Sequence, residues 1–271
     1  MTETTRTALV TGSSSGIGAA TARRFRDARW TVYATARDPA TVDLGADRRC
    51  HTLALDVTDD DAVVEAVERV VDDDGRLDCL VNNAGYGQYG PIEDVPTERV
   101  VDQFDVTLYG PHRLCRAALP ALRATGGTVV TISSLAAHAP FPGAGVYCAS
   151  KAALEAHHDA LRAELSGTPV DVVLVEPGPV DTGFGARRER ELAALDASDG
   201  YETVYDRHRG ETTRGALFGD VSADDVADRV LTAATSPTPP ARLPVGRRVR
   251  LAIALARLLP TSWRHRLYDW V

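Results

Sequence analysis

Tyr147 and Lys151 stand four residues apart in Val146–Ser166, a stretch whose pattern predicts a helix, so the two side chains share a face. A phenol with an ordinary pKa of ~10 is a poor proton donor or acceptor at neutral pH. An ammonium beside it stabilises the phenolate and lowers that value, which makes the pair a candidate general acid/base. Lys151 is the only lysine in the 271 residues; every other strongly basic side chain is an arginine. Ser134 ends the preceding apolar run and could hydrogen-bond a substrate oxygen. A Tyr-x-x-x-Lys spacing alone arises easily by chance, so its weight comes from what surrounds it.

A second group of residues could hold phosphate. Thr11-Gly12-Ser13-Ser14-Ser15-Gly16-Ile17-Gly18 lies between an apolar run, Thr7–Val10, and a predicted helix, Gly16–Ala28. Glycines let the backbone turn tightly and approach a pyrophosphate. The helix start then offers free N–H groups and a partial positive charge. The spacing differs from the ordinary dinucleotide fingerprint, and the Gly-Lys-Ser/Thr ending of a nucleotide triphosphatase loop is absent. The next apolar run ends in Ala36-Arg37-Asp38-Pro39. An acid here would hold a ribose 2′-hydroxyl, and an arginine a 2′-phosphate. Asp38 precedes a proline and reads as a turn or cap residue, so Arg37 favours NADP(H) over NAD(H).

Positioning these groups takes a regular frame. Short runs at Thr7–Val10, Thr31–Thr35, His51–Leu55, Leu77–Val81, Thr128–Ser133 and Asp171–Glu176 read as strands. They alternate with helical stretches at Gly16–Ala28, Asp60–Val71, Thr97–Leu122 (broken near Gly110–Pro111) and Val146–Ser166. That alternation predicts a single α/β domain, a doubly wound parallel sheet of the Rossmann type, with ligands at the carboxyl ends of the strands. After Pro177 the rhythm fails. The polar residues Gly183–Gly219 have a helix-like piece at Ala186–Leu195 and suit a substrate lid, and Thr235–Pro244 reads as a loop. Arg247–Leu259, which mixes arginine with apolar residues, suits closing the substrate cavity or packing against another subunit better than lying on a membrane surface. The domain is divided as 6–182 for cofactor and catalysis, 183–245 for the lid and variable region, and 246–271 for a C-terminal segment.

Bulk properties exclude several classes. A formal net charge of −8 argues against a nucleic-acid partner. No apolar run approaches a membrane span, so no integral membrane contact is expected. The N-terminus shows no secretory signal, and Cys50, Cys79, Cys115 and Cys148 form no C-x-x-C pair; the expected location is cytoplasmic, with free thiols. Cys148 is expected to point into the core. No His, Cys or carboxylate spacing suggests a metal site, and His157 and His158 read as solvated surface.

Thr11–Gly18, Asn82-Asn83-Ala84-Gly85, Ser134, Tyr147 with Lys151, and Pro177-Gly178-Pro179-Val180-Asp181-Thr182 occur in this order. Together they resemble the short-chain dehydrogenase/reductase family over residues 6–182. The stretch Val32–Asp38 looks like its NADP-preferring branch of 17β-hydroxysteroid and retinol-type dehydrogenases. The resemblance implies Tyr147 as general acid/base, Lys151 as the residue that lowers its pKa and binds the nicotinamide ribose, and Ser134 as the substrate-orienting hydroxyl. Asp56 and Val57 would contact adenine. Gly12, Ser14, Ser15, Gly16, Ile17 and Gly18 would hold the pyrophosphate. Asn83, Ala84 and Gly85 would line the cofactor, and Pro177, Gly178, Val180 and Thr182 would flank the nicotinamide. The family's helical asparagine, which supports a water behind the lysine, is replaced by Thr107, whose single hydroxyl would have to hold that water.

The implied reaction interconverts a ketone or aldehyde with an alcohol by hydride transfer, on a small and hydrophobic substrate, in a homodimer or homotetramer. A 3-oxoacyl carrier-protein reductase is the second enzyme reading. A cofactor sensor or scaffold that has lost turnover is the non-enzyme reading.

Overall fold

A computed structural model describes residues 5–180, 182, 184–209 and 221–260. Seven strands form one parallel sheet: β1 (Thr7–Val10), β2 (Thr31–Ala36), β3 (Cys50–Ala54), β4 (Cys79–Asn82), β5 (Thr128–Ile132), β6 (Asp171–Pro177) and β7 (Arg242–Val245). Their order is β3-β2-β1-β4-β5-β6-β7. The chain reverses its direction across the sheet between β1 and β4, which opens a crevice at the carboxyl ends of these two strands.

Alternate strand residues feed two cores, as a period of two requires. Leu9, Leu80 and Val129 face one side, against Val63, Val67 and Val70 of α2 (Asp60–Asp74) and Leu114, Ala118 and Leu122 of α4 (Gly110–Thr125). Ala8, Val10, Val81 and Val130 face the other, against Phe25 of α1 (Gly16–Asp27) and Val226 and Val230 of α8 (Ala223–Thr235). α3 (Thr97–Phe104) precedes α4, and α5 (Gly145–Glu164) lies between β5 and β6. Two helices, α6 (Phe184–Ala193) and α7 (Glu202–His208), follow β6. α9 (Arg247–Leu258) follows β7.

Local chemistry explains the helix limits. Asp59 caps α2 by accepting from the amides of Asp61 and Ala62, and Gly75 ends it in the left-handed region at φ 68°. Asp38 is a cap residue too: its carboxylate accepts from the Ala40 amide at 3.0 Å and starts a short 3-10 turn, Pro39–Thr41.

The long helix breaks near Gly110–Pro111 as expected, in a π turn at Asp105–Tyr109 that joins α3 to α4. Pro111 has no N–H to give the Thr107 carbonyl, so regular α pairing fails there, and the Gly110 amide reaches back to Asp105. The proline-rich stretch read as a loop, Thr235–Pro244, contains the start of β7, whose Arg242, Leu243 and Pro244 pair with Leu174, Val175 and Glu176. β7 is an edge of the sheet, where a strand tolerates proline because one side of its backbone has no partner. His158 is also corrected: it is fully buried rather than solvated. It lies seven residues after Lys151 and four after Leu154, on the inward face of α5. Its Nδ1 bonds the Leu154 carbonyl and its Nε2 the Thr131 hydroxyl. Burial pushes its pKa down to about 3, so the ring is neutral. His157, beside it, is half-buried and faces His112 at 3.1 Å. Cys148 is buried in the core as expected.

Candidate active site

The glycine loop sits in the crevice between β1 and β4. Thr11, buried at its start, donates its hydroxyl to the Val81 carbonyl and accepts from the amides of Asn83 and Ala84. The Asn83 side-chain amide returns two bonds, to the carbonyls of Thr11 (2.8 Å) and Gly12 (3.1 Å). The two strand ends are thereby locked together. Gly12 has φ 68°, and a Cβ there would lie 2.8 Å from the Ala84 Cα. A Cβ on Gly18 would collide with the Gly12 carbonyl and the Asn83 amide. Bare backbone is needed at both positions, for the turn and for seating α1 on the loop.

Beyond the loop, Ser15 is the N-cap of α1 yet makes no side-chain capping bond, and Ser14 and Ser15 are both exposed. The helix start therefore offers donors to an outside anion. Thr182 lies against Gly16: a Cβ there would be 3.1 Å from the threonine Cβ. The segment after β6 thus reaches the phosphate loop. Ile17 packs at the edge of the core cluster that holds Phe25. Arg37 is exposed just past β2, while Asp38 is occupied by its capping bond. Val57 is buried against Gly110, and Asp56 is exposed and bonds the Thr58 amide and hydroxyl. Gly85 is exposed, Pro177 closes β6, and Val180 bridges to Val221. Gly178 lies between them, and Asp181 falls outside the described residues. This cradle has the shape and donors for a dinucleotide: a loop without side chains at its two tightest points, an uncapped helix start, and an exposed arginine, Arg37, just past the end of β2.

Ser134, Tyr147 and Lys151 meet where β5 ends beside α5. Tyr147 is 9% exposed and Lys151 8%. The Lys151 ammonium donates to the Ile132 carbonyl at 2.7 Å. Burial lowers its pKa to about 8. The Tyr147 phenol is pushed up to about 12, because desolvation outweighs a hydrogen bond with Ser134 that acts to lower it. Without a ligand, burial controls the phenol more than the lysine does. Ser134 also accepts from the Ala136 amide at 3.1 Å, which fixes its position at the strand end.

Thr107 is buried in the π turn, and its hydroxyl accepts from the Gln103 side-chain amide at 2.6 Å. Gln103 is a site residue that motif reading missed. Fully buried, it also donates to the Tyr86 carbonyl and to Ser150 Oγ, the neighbour of Lys151, and it accepts from the Gln88 amide at 2.6 Å. Its sequence signal is slight: a glutamine one helical turn before Thr107.

Aromatic rings from the loops after β4 and β5 and from α7 gather around the phenol. Tyr89 stacks on Tyr147 with centroids 5.9 Å apart, and His208 lies 5.3 Å from Tyr89 and 6.0 Å from Phe141. Leu192 of α6 and Tyr205 of α7 are buried in the same cluster. The Tyr205 hydroxyl donates to Asp94 at 2.8 Å, and Arg99 pairs with Glu191 at 2.6 Å, joining α7 and α6 to the region before and within α3.

Behind the site, His138, Glu155 and Glu176 gather closely enough to bind a cation. The cation present is a guanidinium: Arg242 bonds Glu176 at 2.8 Å, Asp159 at 2.6 Å, and Glu155. Ser133 completes the cluster by donating to Glu155.

A family model described as short chain dehydrogenase matches residues 6–193. The chain belongs to the short-chain dehydrogenase family. This short-chain dehydrogenase is 32% identical over 269 residues to the "Probable short-chain type dehydrogenase/reductase VdlC" of Helicobacter pylori, covering 97% of both chains. It is 38% identical over 181 residues to a 3-ketodihydrosphingosine reductase of Bacteroides thetaiotaomicron, covering 66% of each. Among solved structures, a short-chain dehydrogenase from Streptomyces avermitilis superposes with a TM-score of 0.82 at 31% identity, covering 99% of this chain and 97% of that one. One from Burkholderia cenocepacia, in complex with NADP, superposes with a TM-score of 0.77 at 25% identity, covering 97% of both.

Proposed function

We propose that this short-chain dehydrogenase uses NADP(H) to interconvert a hydrophobic ketone or aldehyde with its alcohol, in the manner of the steroid and retinoid branch of the family. The observation that carries the reading is the buried pair Tyr147 and Lys151 beside a half-buried Ser134, under an aromatic cluster and at the mouth of a glycine-lined crevice. Arg37, exposed where a 2′-phosphate would lie, supports NADP(H), as does the NADP complex of the Burkholderia relative. Tyr89, Phe141, Tyr147 and Tyr205 support an apolar substrate. The 3-ketodihydrosphingosine reductase relative supports a ketone on a long apolar chain.

The bound nicotinamide supplies or accepts the hydride. In the reducing direction Ser134 holds the carbonyl oxygen. The Tyr147 hydroxyl gives that oxygen its proton, so negative charge never develops unpartnered in the buried site. Lys151, one turn along α5, carries the positive charge that favours the resulting phenolate. Gln103 and Thr107 hold the polar wall behind this turn in one arrangement.

Fluorescence titration with NADPH and NADH, followed by turnover on a panel of carbonyls, tests the reading. Tighter NADPH binding and turnover on apolar ketones, abolished in Tyr147→Phe, are expected. A preference for NADH overturns the role of Arg37. Tight NADPH binding with no turnover on any carbonyl overturns the enzyme reading in favour of a sensor.

A further inference from the structure

α9 carries two apolar stripes where a surface helix needs one. Val249, Ile253 and Ala256 are buried, packed toward Leu135 and Ala139. Leu251, Leu255 and Leu258 stand 61%, 46% and 81% exposed. Their spacing of four and three puts them on one face, about 200° around the helix from the buried stripe. The same helix holds Arg247, Arg248, Arg250 and Arg257 and no acidic residue, in a chain whose net charge is −8. Three of those arginines crowd the first turn, where the helix dipole disfavours cations. Helix stability does not ask for this arrangement. Arg257 leans inward, 3.7 Å from Glu176, while Arg247 and Arg250 are exposed.

We propose that α9 is a docking face for an anionic lipid surface. The three leucines enter the acyl boundary, and the arginines meet headgroup phosphates. A second copy of this chain suits the face less well. A two-fold contact through the stripe sets one arginine-rich helix against another, and like charges oppose it. The sequence beyond α9, outside the described residues, continues the basic character and adds aromatic residues, with Trp263, Arg264, Arg266, Tyr268 and Trp270. Tryptophan and tyrosine are favoured at membrane interfaces.

The location has a consequence for the site. α9 packs on Leu135, the residue after Ser134, so docking brings the catalytic end of the sheet to the membrane surface. An apolar substrate then reaches Tyr147 from the lipid. That consequence rests on the hydrophobic-carbonyl reading; the docking does not.

The full chain, without substrate, is sedimented with vesicles of phosphatidylcholine alone or mixed with phosphatidylglycerol. Binding is expected on the anionic vesicles only, and it weakens as salt rises. Arg247→Gln with Arg248→Gln lowers the partition constant by about fivefold per arginine. Leu255→Glu with Leu258→Glu abolishes binding while NADPH titration shows the cofactor site intact. Absence of binding, equal binding to neutral vesicles, or binding unchanged in the arginine pair overturns the proposal. Concentration-dependent assembly in sedimentation velocity, lost in the leucine pair, also overturns it and marks the face as a contact between copies. If the leucine pair fails to fold, the arginine pair and the salt series decide.

Discussion

Lys151 holds its charge at a cost. Burial lowers its pKa to about 8 from an ordinary 10.5. Between those two values the unfolded chain keeps a proton that the native site has released. Stability therefore rises with pH across that window, by at most about 1.4 kcal/mol per unit. Tyr147 acts in the opposite sense at higher pH, since its native pKa lies above the ordinary value and the unfolded phenol ionises first. Comparison with Lys151→Met isolates the lysine: in urea denaturation the stability gap between the two proteins should shift in favour of the wild type as pH climbs from about 8 to about 10.5. Parallel curves would show that the native ammonium is better solvated than its burial implies. The pair itself was legible from its spacing, and so was the glycine loop. Gln103 was not, because its importance comes from Gln88, fifteen residues away, and from Ser150, forty-seven away. His158 was within reach of the same periodicity that located Lys151; a polar residue type masked an inward position.

At the scale of elements, the contact that matters most is α1 seated on the loop that precedes it. Gly18 leaves no room for a methyl group between the Gly12 carbonyl and the Asn83 amide. Gly18→Ala should push α1 away from β4 and displace the donors at the helix start. NADPH affinity, measured by fluorescence, is expected to fall by at least about tenfold, the factor that ~1.4 kcal/mol represents. Unchanged affinity would mean that the loop adjusts freely. The elements here were largely readable, because strand and helix periods are local properties of the chain. β7 was misread as loop, and the helix α8 was not read at all. Pro244 argues against a strand unless that strand lies at an edge, and edge position is a property of the whole sheet.

Across the whole molecule, Arg242 joins the last strand to the catalytic helix and to β6. Its guanidinium serves Glu155 and Glu176, whose side chains are only 7% and 1% exposed. Arg242→Ala removes the cation that two buried carboxylates share, leaving Glu176 with Arg257 at 3.7 Å and the His138 ring at 2.9 Å, and is expected to cost about 3 kcal/mol in urea denaturation. Adding Glu155→Gln should restore part of the loss, because one of the stranded charges is then removed. A loss under about 1 kcal/mol, the range of a surface pair, would show that water compensates.

By itself the sequence determined the strand rhythm, the bare loop at the first strand end, and the shared face of Tyr147 and Lys151. These depend on backbone geometry repeated over a few residues. Only the tertiary structure decided that Gln103 holds Thr107 beside Ser150, that Tyr89 stacks on the phenol within a cluster also holding Phe141 and Tyr205, and that a guanidinium 66 residues beyond Glu176 and 87 beyond Glu155 fills the space between two carboxylates. Those partners are set by the order of strands in the sheet. No local period encodes that order, because burial brings polar groups together across the fold and each must then find its partner there.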